Sequence, residues 1–212
     1  IVPVTRVWFN ENTSPMWSSV PALLAILTNL VALLVTSLSV ARERELGTFD
    51  QLLVSPLRPA EILIGKAVPA FVIAYLEGGL MVGAVIIVFG IPFRGSLVLL
   101  AMAMFVFLLA IVGIGLWISS LAATQQQALL GSFTYMVPAV LLSGFATPVE
   151  NIHPIIRWLS DIDPLRYMVA ISRMVFLEDP SLDVIVPYVA PLLPIAAFTL
   201  FSAAWLFRHR LE

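Results

Sequence analysis

Few side chains in this 212-residue chain can do chemistry, and their placement narrows what chemistry is open. Ser132 and Ser143 lie in apolar stretches, but His153 and His209 fall outside the long apolar runs. No imidazole therefore stands ready to activate a serine for intramembrane proteolysis. The sequence has no cysteine, which excludes disulfides, thiolate metal sites and a cysteine nucleophile. Neither an H-E-x-x-H zinc motif nor a G-x-x-x-x-G-K-[ST] phosphate loop occurs, so the chain does not hydrolyse ATP by that route. Basic nucleic-acid patches are absent as well. The residues describe a non-enzyme with no metal site, no cofactor of its own and no nucleic-acid partner.

Two places keep charges that need a reason. Arg42-Glu43-Arg44-Glu45 is a run of charge in a chain of which only 11% is charged. Glu77 is the charge inside a long apolar run, where it costs about 2.5–3.5 kcal/mol near mid-membrane. It must face a bundle interior, bond to hydroxyls or amides, or carry a proton. One reading makes it a proton or cationic-substrate site. The other makes it an interhelical hydrogen bond to Asn29, Thr134 or Tyr135. Gly79 and Gly83, four apart in the same run, are spaced for close helix approach.

The elements that must position these residues are apolar helices. The chain is 60% hydrophobic, with a mean hydropathy of +1.02. Five runs, at residues 20–40, 67–89, 97–118, 128–146 and 187–207, each match the roughly 20 residues that cross a bilayer core of about 30 Å. They are apolar on every face, unlike strands of a barrel. Soluble helices average about 11–12 residues and keep a polar stripe. The fold expected is all-α, a polytopic helical membrane protein, with residues 1–19 a water-exposed segment and 20–212 the membrane domain.

Arg42, Arg44, Arg58 and Lys66 fall in the connection 41–66, and Arg208 and Arg210 follow the last run. The positive-inside tendency places both in the cytoplasm. Arg157, Arg166 and Arg173 then fall outside, on amphipathic segments rather than in short loops. Thr48 and Gln51 fit a capping box, and Leu46, Phe49 and Leu53 share one face of a short helix along the inner surface. Pro59 with Glu61 starts the next helix. By pattern alone the surface helix is equally an interfacial anchor without a partner. Segment 147–186 carries Ile155, Ile156, Trp158 and Leu159 on one face. Asp163-Pro164 then reads as an N-cap and first helical position, before Leu165, Met168, Val169, Ser172, Val175 and Phe176 at helical spacing. Two short re-entrant helices or a surface hairpin fit it. Pro138, Pro187, Pro191 and Pro194 predict bends.

Arg42-Glu43-Arg44-Glu45-x-Gly47-Thr48, followed by Gln51 to Pro56 and Leu57-Arg58-Pro59-x-Glu61, resembles the cytoplasmic signature of type-2 ABC export permeases, in their drug-export branch. Thr147-Pro148-Val149-Glu150-Asn151, Asp163-Pro164-Leu165-Arg166-Tyr167 and Arg173-x-x-Phe176-Leu177 are similar to the family's paired external helices. Glu178-Asp179 stands where the family often has a glycine turn.

The resemblance implies six spans, five of them here, with the first span and most of an external domain expected upstream. It implies a dimer with a second permease subunit, of the same or a different chain, in a prokaryotic inner membrane with the C-terminus cytoplasmic. ATP and Mg are expected on a separate ABC ATPase subunit. Arg42, Glu43, Arg44, Glu45, Gly47, Thr48, Phe49, Gln51 and Leu53 would form the coupling segment that meets it. Pro148, Glu150, Pro164, Arg166, Tyr167 and Arg173 would belong to the external helices. The rival readings are a proton-coupled secondary transporter using Glu77 and a non-transporting assembly factor. Drug, lipid, peptide and glycan all stay open as substrates.

Overall fold

Apolar runs of this length leave the backbone no water to bond to, so helices, which satisfy it internally, are the available solution. The computed structural model describes residues 15–48, 58–146 and 153–209. Within them lie α1 (Pro15–Glu45), α2 (Pro59–Ile87), α3 (Leu97–Leu121), α4 (Gln125–Leu142), α5 (Pro154–Ile162), α6 (Pro164–Leu177), α7 (Leu182–Val189) and α8 (Leu192–His209). Pro59 opens α2 at its first position, and the Glu61 carboxylate accepts from the Arg58 N–H at 2.8 Å, as the sequence led us to expect.

Four stretches are long and apolar enough to cross a membrane: Met16–Glu45, Ala60–Ile87, Leu97–Leu121 and Leu182–His209. The fifth expected span, 128–146, instead forms the 18-residue α4, which opens on Gln125, Gln126 and Gln127 and stops at Leu142. Three glutamines make it too polar to rank with the others, although 18 residues rise about 27 Å. The last span starts at Leu182 rather than 187 and is interrupted between α7 and α8. The interruption falls at Ala190-Pro191, where proline cannot donate to the helix ladder and clashes with the preceding turn. The charged run also moves: Arg42–Glu45 is the last turn of α1, not part of a connecting loop.

α3 is the centre of the bundle, with α1, α2, α6 and α8 packed around it. Small residues let its neighbours close in. A Cβ on Gly115 would lie 2.6 Å from Thr36 Cβ on α1, and one on Gly113 would lie 2.4 Å from Thr199 Oγ1 on α8. The expected Gly79/Gly83 pair does not serve this purpose within the chain, since a Cβ on either would meet open space. Phe107, Leu108 and Ile111 of α3 join Leu24 and Leu33 of α1 and Met168 and Phe176 of α6 in the main core.

The short helices expected within 147–186 form, with one refinement. α6 buries Leu165, Met168, Val169, Ser172, Val175 and Phe176 against the bundle, so it is an internal helix and not half of a surface hairpin. α5 leaves Ile156, Trp158, Leu159 and Ile162 exposed. Where the resemblance leads one to expect a glycine turn, Asp179 itself takes the left-handed conformation, φ 50°, which aspartate tolerates better than most side chains.

Candidate functional site

The charged end of α1 is built by a local stop and three long-range ties. Gly47, at φ 70°, donates to the Arg44 carbonyl at 3.1 Å, and the Thr48 N–H donates to Glu43 at 3.0 Å. That pair of bonds is a Schellman stop, which needs a left-handed residue and so favours glycine. Thr48 adds its hydroxyl to the Glu43 carbonyl at 3.3 Å.

From this end Arg44 reaches the close of α3, donating to the Ser120 carbonyl at 2.8 Å and the Ala122 carbonyl at 3.2 Å. Glu45 accepts from the Gln125 N–H at 2.9 Å, at the start of α4. The carbonyls closing a helix carry partial negative charge and the amides opening one carry partial positive charge. Adjacent charges of opposite sign on α1 therefore grip both sides of the α3–α4 elbow. Higher up, the Ser119 hydroxyl accepts from the Val40 and Ala41 N–H groups at 3.1 and 3.2 Å. Glu43 pairs with Lys66 on α2. Arg42 is exposed and, with Glu43, Gly65 and Lys66, lines a cavity of about 490 Å³ between α1 and α2.

Three of the four charges in the run are thus engaged with this chain's own helices. Gly47 and Thr48 are exposed, while Phe49, Gln51 and Leu53, with the capping box and apolar face anticipated there, lie outside the described residues. Sequence reasoning missed the elbow grip because its partners lie nearly eighty positions away. One signal was available. Thr124 caps α4, its Oγ1 accepting from the Gln127 N–H at 3.3 Å, while Gln127 Oε1 accepts from the N–H of Ala123, one residue before the cap, at 2.9 Å.

Glu77 is half-buried on α2, and the Thr28 hydroxyl of α1 is the side chain that acts on its carboxylate. Asn29, fully buried on α1, has no partner for either amide atom among the described residues. None of the anticipated bonds to Asn29, Thr134 or Tyr135 forms. Thr134 donates instead to the Leu130 carbonyl at 2.7 Å.

At the opposite end, Asp163 caps α6, its Oδ1 accepting from the Leu165 N–H at 3.1 Å, and Pro164 takes the first helical position. Burial drives the Asp163 carboxyl up to about 7, against the opposing pull of the Leu165 amide, the Tyr135 hydroxyl and Arg166. Arg166 pairs with Asp161, and the Tyr167 hydroxyl donates to the Asp161 carbonyl at 2.6 Å. Arg173 donates from Nε to the Ser18 carbonyl and from Nη1 to the Gly144 carbonyl, each at 3.1 Å, so it ties α6 to the start of α1 and the end of α4. Pro148 and Glu150 lie outside the described residues.

Between α4 and α8, over the face of α3, runs a cavity of about 840 Å³ that reaches Leu159, Ile162 and Asp163. A second cavity of about 420 Å³ shares Ile114, Trp117, Thr134 and Tyr135 with it and continues toward Ala122 and Gln127. Together they form one groove along the bundle, from the elbow gripped by α1 to the Asp163 end. Among the described residues no group of acids and histidines is placed to hold a metal ion.

Residues 5–177 match the family described as ABC-2 type transporter. The Escherichia coli K12 protein named "Probable multidrug ABC transporter permease YbhR" is 46% identical over 207 residues, covering 98% of this chain and 56% of that protein. "Probable multidrug ABC transporter permease YbhS" of the same strain is 33% identical over 177 residues, 82% of this chain and 46% of that protein. "Inner membrane transport permease YhhJ", also of strain K12, is 29% identical over 201 residues, 92% and 53% respectively. The chain spans about half the length of the curated relatives it matches.

Proposed function

The chain belongs to the ABC-2 type transporter family, and on that premise we propose that it is the membrane-spanning part of an ATP-driven exporter in a prokaryotic inner membrane. ATP and Mg would sit on a separate ABC ATPase subunit, and a second permease subunit, of the same or a different chain, would complete the path. The names of the relatives, which include multidrug permeases, support that reading. The end of α1 bearing Arg42, Arg44 and Lys66's partner Glu43 would face the cytoplasm. So would the end of α8, where Phe207 packs with Val40, Ile62 and Leu116.

One observation carries the mechanism: the charged end of α1 holds α2 through Lys66 and the α3–α4 elbow through Arg44 and Glu45 at once. A partner that moves segment 46–58 would pull on α1 and α2 directly and on the elbow through those ties. A partner shifts such an equilibrium only by binding the two states unequally. A rigid helix end anchored to three others supplies that difference. Arg42, Gly47, Thr48, Phe49, Gln51 and Leu53 would then offer the contact surface, and Glu43, Arg44 and Glu45 would pass the movement inward.

The test is ATPase activity of the complex purified with its ATPase subunit. Gly47→Pro, which cannot adopt the left-handed stop, and Glu43→Arg, which sets like charge against Lys66, should each abolish substrate-stimulated hydrolysis while expression persists. Unchanged stimulation in both would refute the coupling role. A proton-driven route is the second reading, resting on Glu77, an acid inside the apolar stretch Ala60–Ile87. It requires transport in vesicles under a pH gradient without any ATPase subunit, lost on Glu77→Gln.

A further inference from the structure

The cavity of about 490 Å³ between α1 and α2 changes character along its wall. Arg42, Glu43 and Lys66 stand at one end, and Val35, Pro69 and Ala70 at the other. From Arg42 back to Val35 the helix rises about 10 Å. The apolar runs 20–40 and 67–89 stop and start beside the three charges, which sets them at the depth of lipid head groups. Two cations against one acid leave a single net positive charge. Glu43 pairs with Lys66 through one oxygen, and its other oxygen has no hydrogen-bond partner among the described residues. The Arg42 guanidinium meets no acceptor among them. Pro69 has no N–H to give the Gly65 carbonyl one turn back, and a Cβ on Gly65 would meet open space. The cavity thus offers cations, two acceptors and an apolar continuation.

We propose that this cavity holds the head group of an anionic phospholipid with free hydroxyls, of the phosphatidylglycerol kind. Its phosphate lies against Arg42 and Lys66, and its hydroxyls donate to Glu43 and the Gly65 carbonyl. An acyl chain follows Val35 and Pro69 into the bilayer. Basic pockets between membrane helices take anionic head groups in this way. One phosphate balances the single net charge. A zwitterionic lipid leaves that charge over, and a soluble phosphate leaves the apolar half of the wall uncovered. Arg42 has five donors, enough for this phosphate and for the partner contact proposed above. The site needs only that α1 and α2 cross a membrane, so it does not rest on the exporter reading.

Native mass spectrometry of the full chain in detergent, with palmitoyl-oleoyl lipids added in series, gives a dissociation constant for each lipid. Phosphatidylglycerol should bind several-fold tighter than phosphatidylethanolamine or phosphatidylcholine. Arg42→Gln should weaken it about fivefold, the scale of one basic residue at a membrane surface. Gly65→Leu fills the cavity without touching a charge and should weaken it further. Leucine suits a helix better than glycine, so that variant keeps its fold. Arg58→Gln removes a charge near the same end but off the cavity wall, and should leave the constant unchanged. Glycerophosphoglycerol, the same head group without chains, should not displace the lipid. Equal affinity for the three lipids, or a constant unmoved by either Arg42→Gln or Gly65→Leu, would overturn the proposal. So would an equal loss with Arg58→Gln, which marks diffuse attraction, or displacement by the chain-free head group. No nucleotide or ATPase subunit enters these measurements, so the exporter reading stands or falls separately.

Discussion

An arginine near each end of this bundle does the same thing to different neighbours. Arg44 donates to Ser120 and Ala122 at the close of α3, and Arg173 donates to Ser18 and Gly144 at the margins of α1 and α4. At the first end the arginine sits beside Glu45, which grips the next helix start, and Glu43, which pairs with Lys66. At the second, Arg173 meets carbonyls on two elements, and the nearby acid, Asp163, caps α6 beside the Tyr135 hydroxyl and Arg166. Each end holds one ion pair, Glu43 with Lys66 at the first and Arg166 with Asp161 at the second, but only the first joins two long helices. Two bonds from Arg173 to backbone, and a carboxyl pushed up to about 7, mark the end that frames a cavity.

Breaking that comparison should cost most at Arg173. Arg173→Ala removes two charge-assisted bonds and leaves the carbonyls of Ser18 and Gly144 unmatched, so a loss of about 2–3 kcal/mol is expected. Thermal unfolding of the detergent-solubilised protein reads it, and a midpoint equal to the unaltered chain would refute the framing role. Arg44→Ala should lose less stability, about 1–2 kcal/mol, because its end of the bundle is more open to water. Its signature is elsewhere: stimulated ATPase activity should fall further than stability does, whereas Arg173→Ala should lower both together.

The pH response sharpens the contrast. A folded-state value near 7, above the ordinary 3.8, means the folded chain binds more protons than the unfolded chain between those limits. Stability should therefore be greatest in acid and decline as pH rises through that window, levelling off above it. Asp163→Asn should flatten the decline, with the gap between the two proteins widening from about pH 4 to about pH 7. An identical slope would mean that Tyr135 and Arg166 already compensate the charge. The smallest effect belongs to Glu45→Gln, which keeps an acceptor for the Gln125 N–H and should leave the unfolding midpoint nearly unchanged. If Glu45→Gln proved as damaging as Arg44→Ala, the matching of charge to helix ends would matter more than the bonds themselves.

Much of this architecture could be read from the chain alone, because an unbroken apolar run has no other folded solution in a membrane. Residue composition located α1, α2, α3 and α8. Asp163-Pro164 set the start of α6 because a cap and a first-turn proline act within three residues. Proline placed the break before α8. Tertiary structure decided what depends on residues brought together from afar. It put Arg44 against Ser120, some seventy-six positions on, and Arg173 against Ser18, one hundred and fifty-five back. It left Gly79 and Gly83 facing open space among the described residues and gave close approach to Gly113 and Gly115. It also turned Asp163 from a cap into the one acid of an apolar groove. Local pattern fixes which backbone groups a helix satisfies for itself. Which side chain answers the groups left over at its ends is settled only when the helices pack.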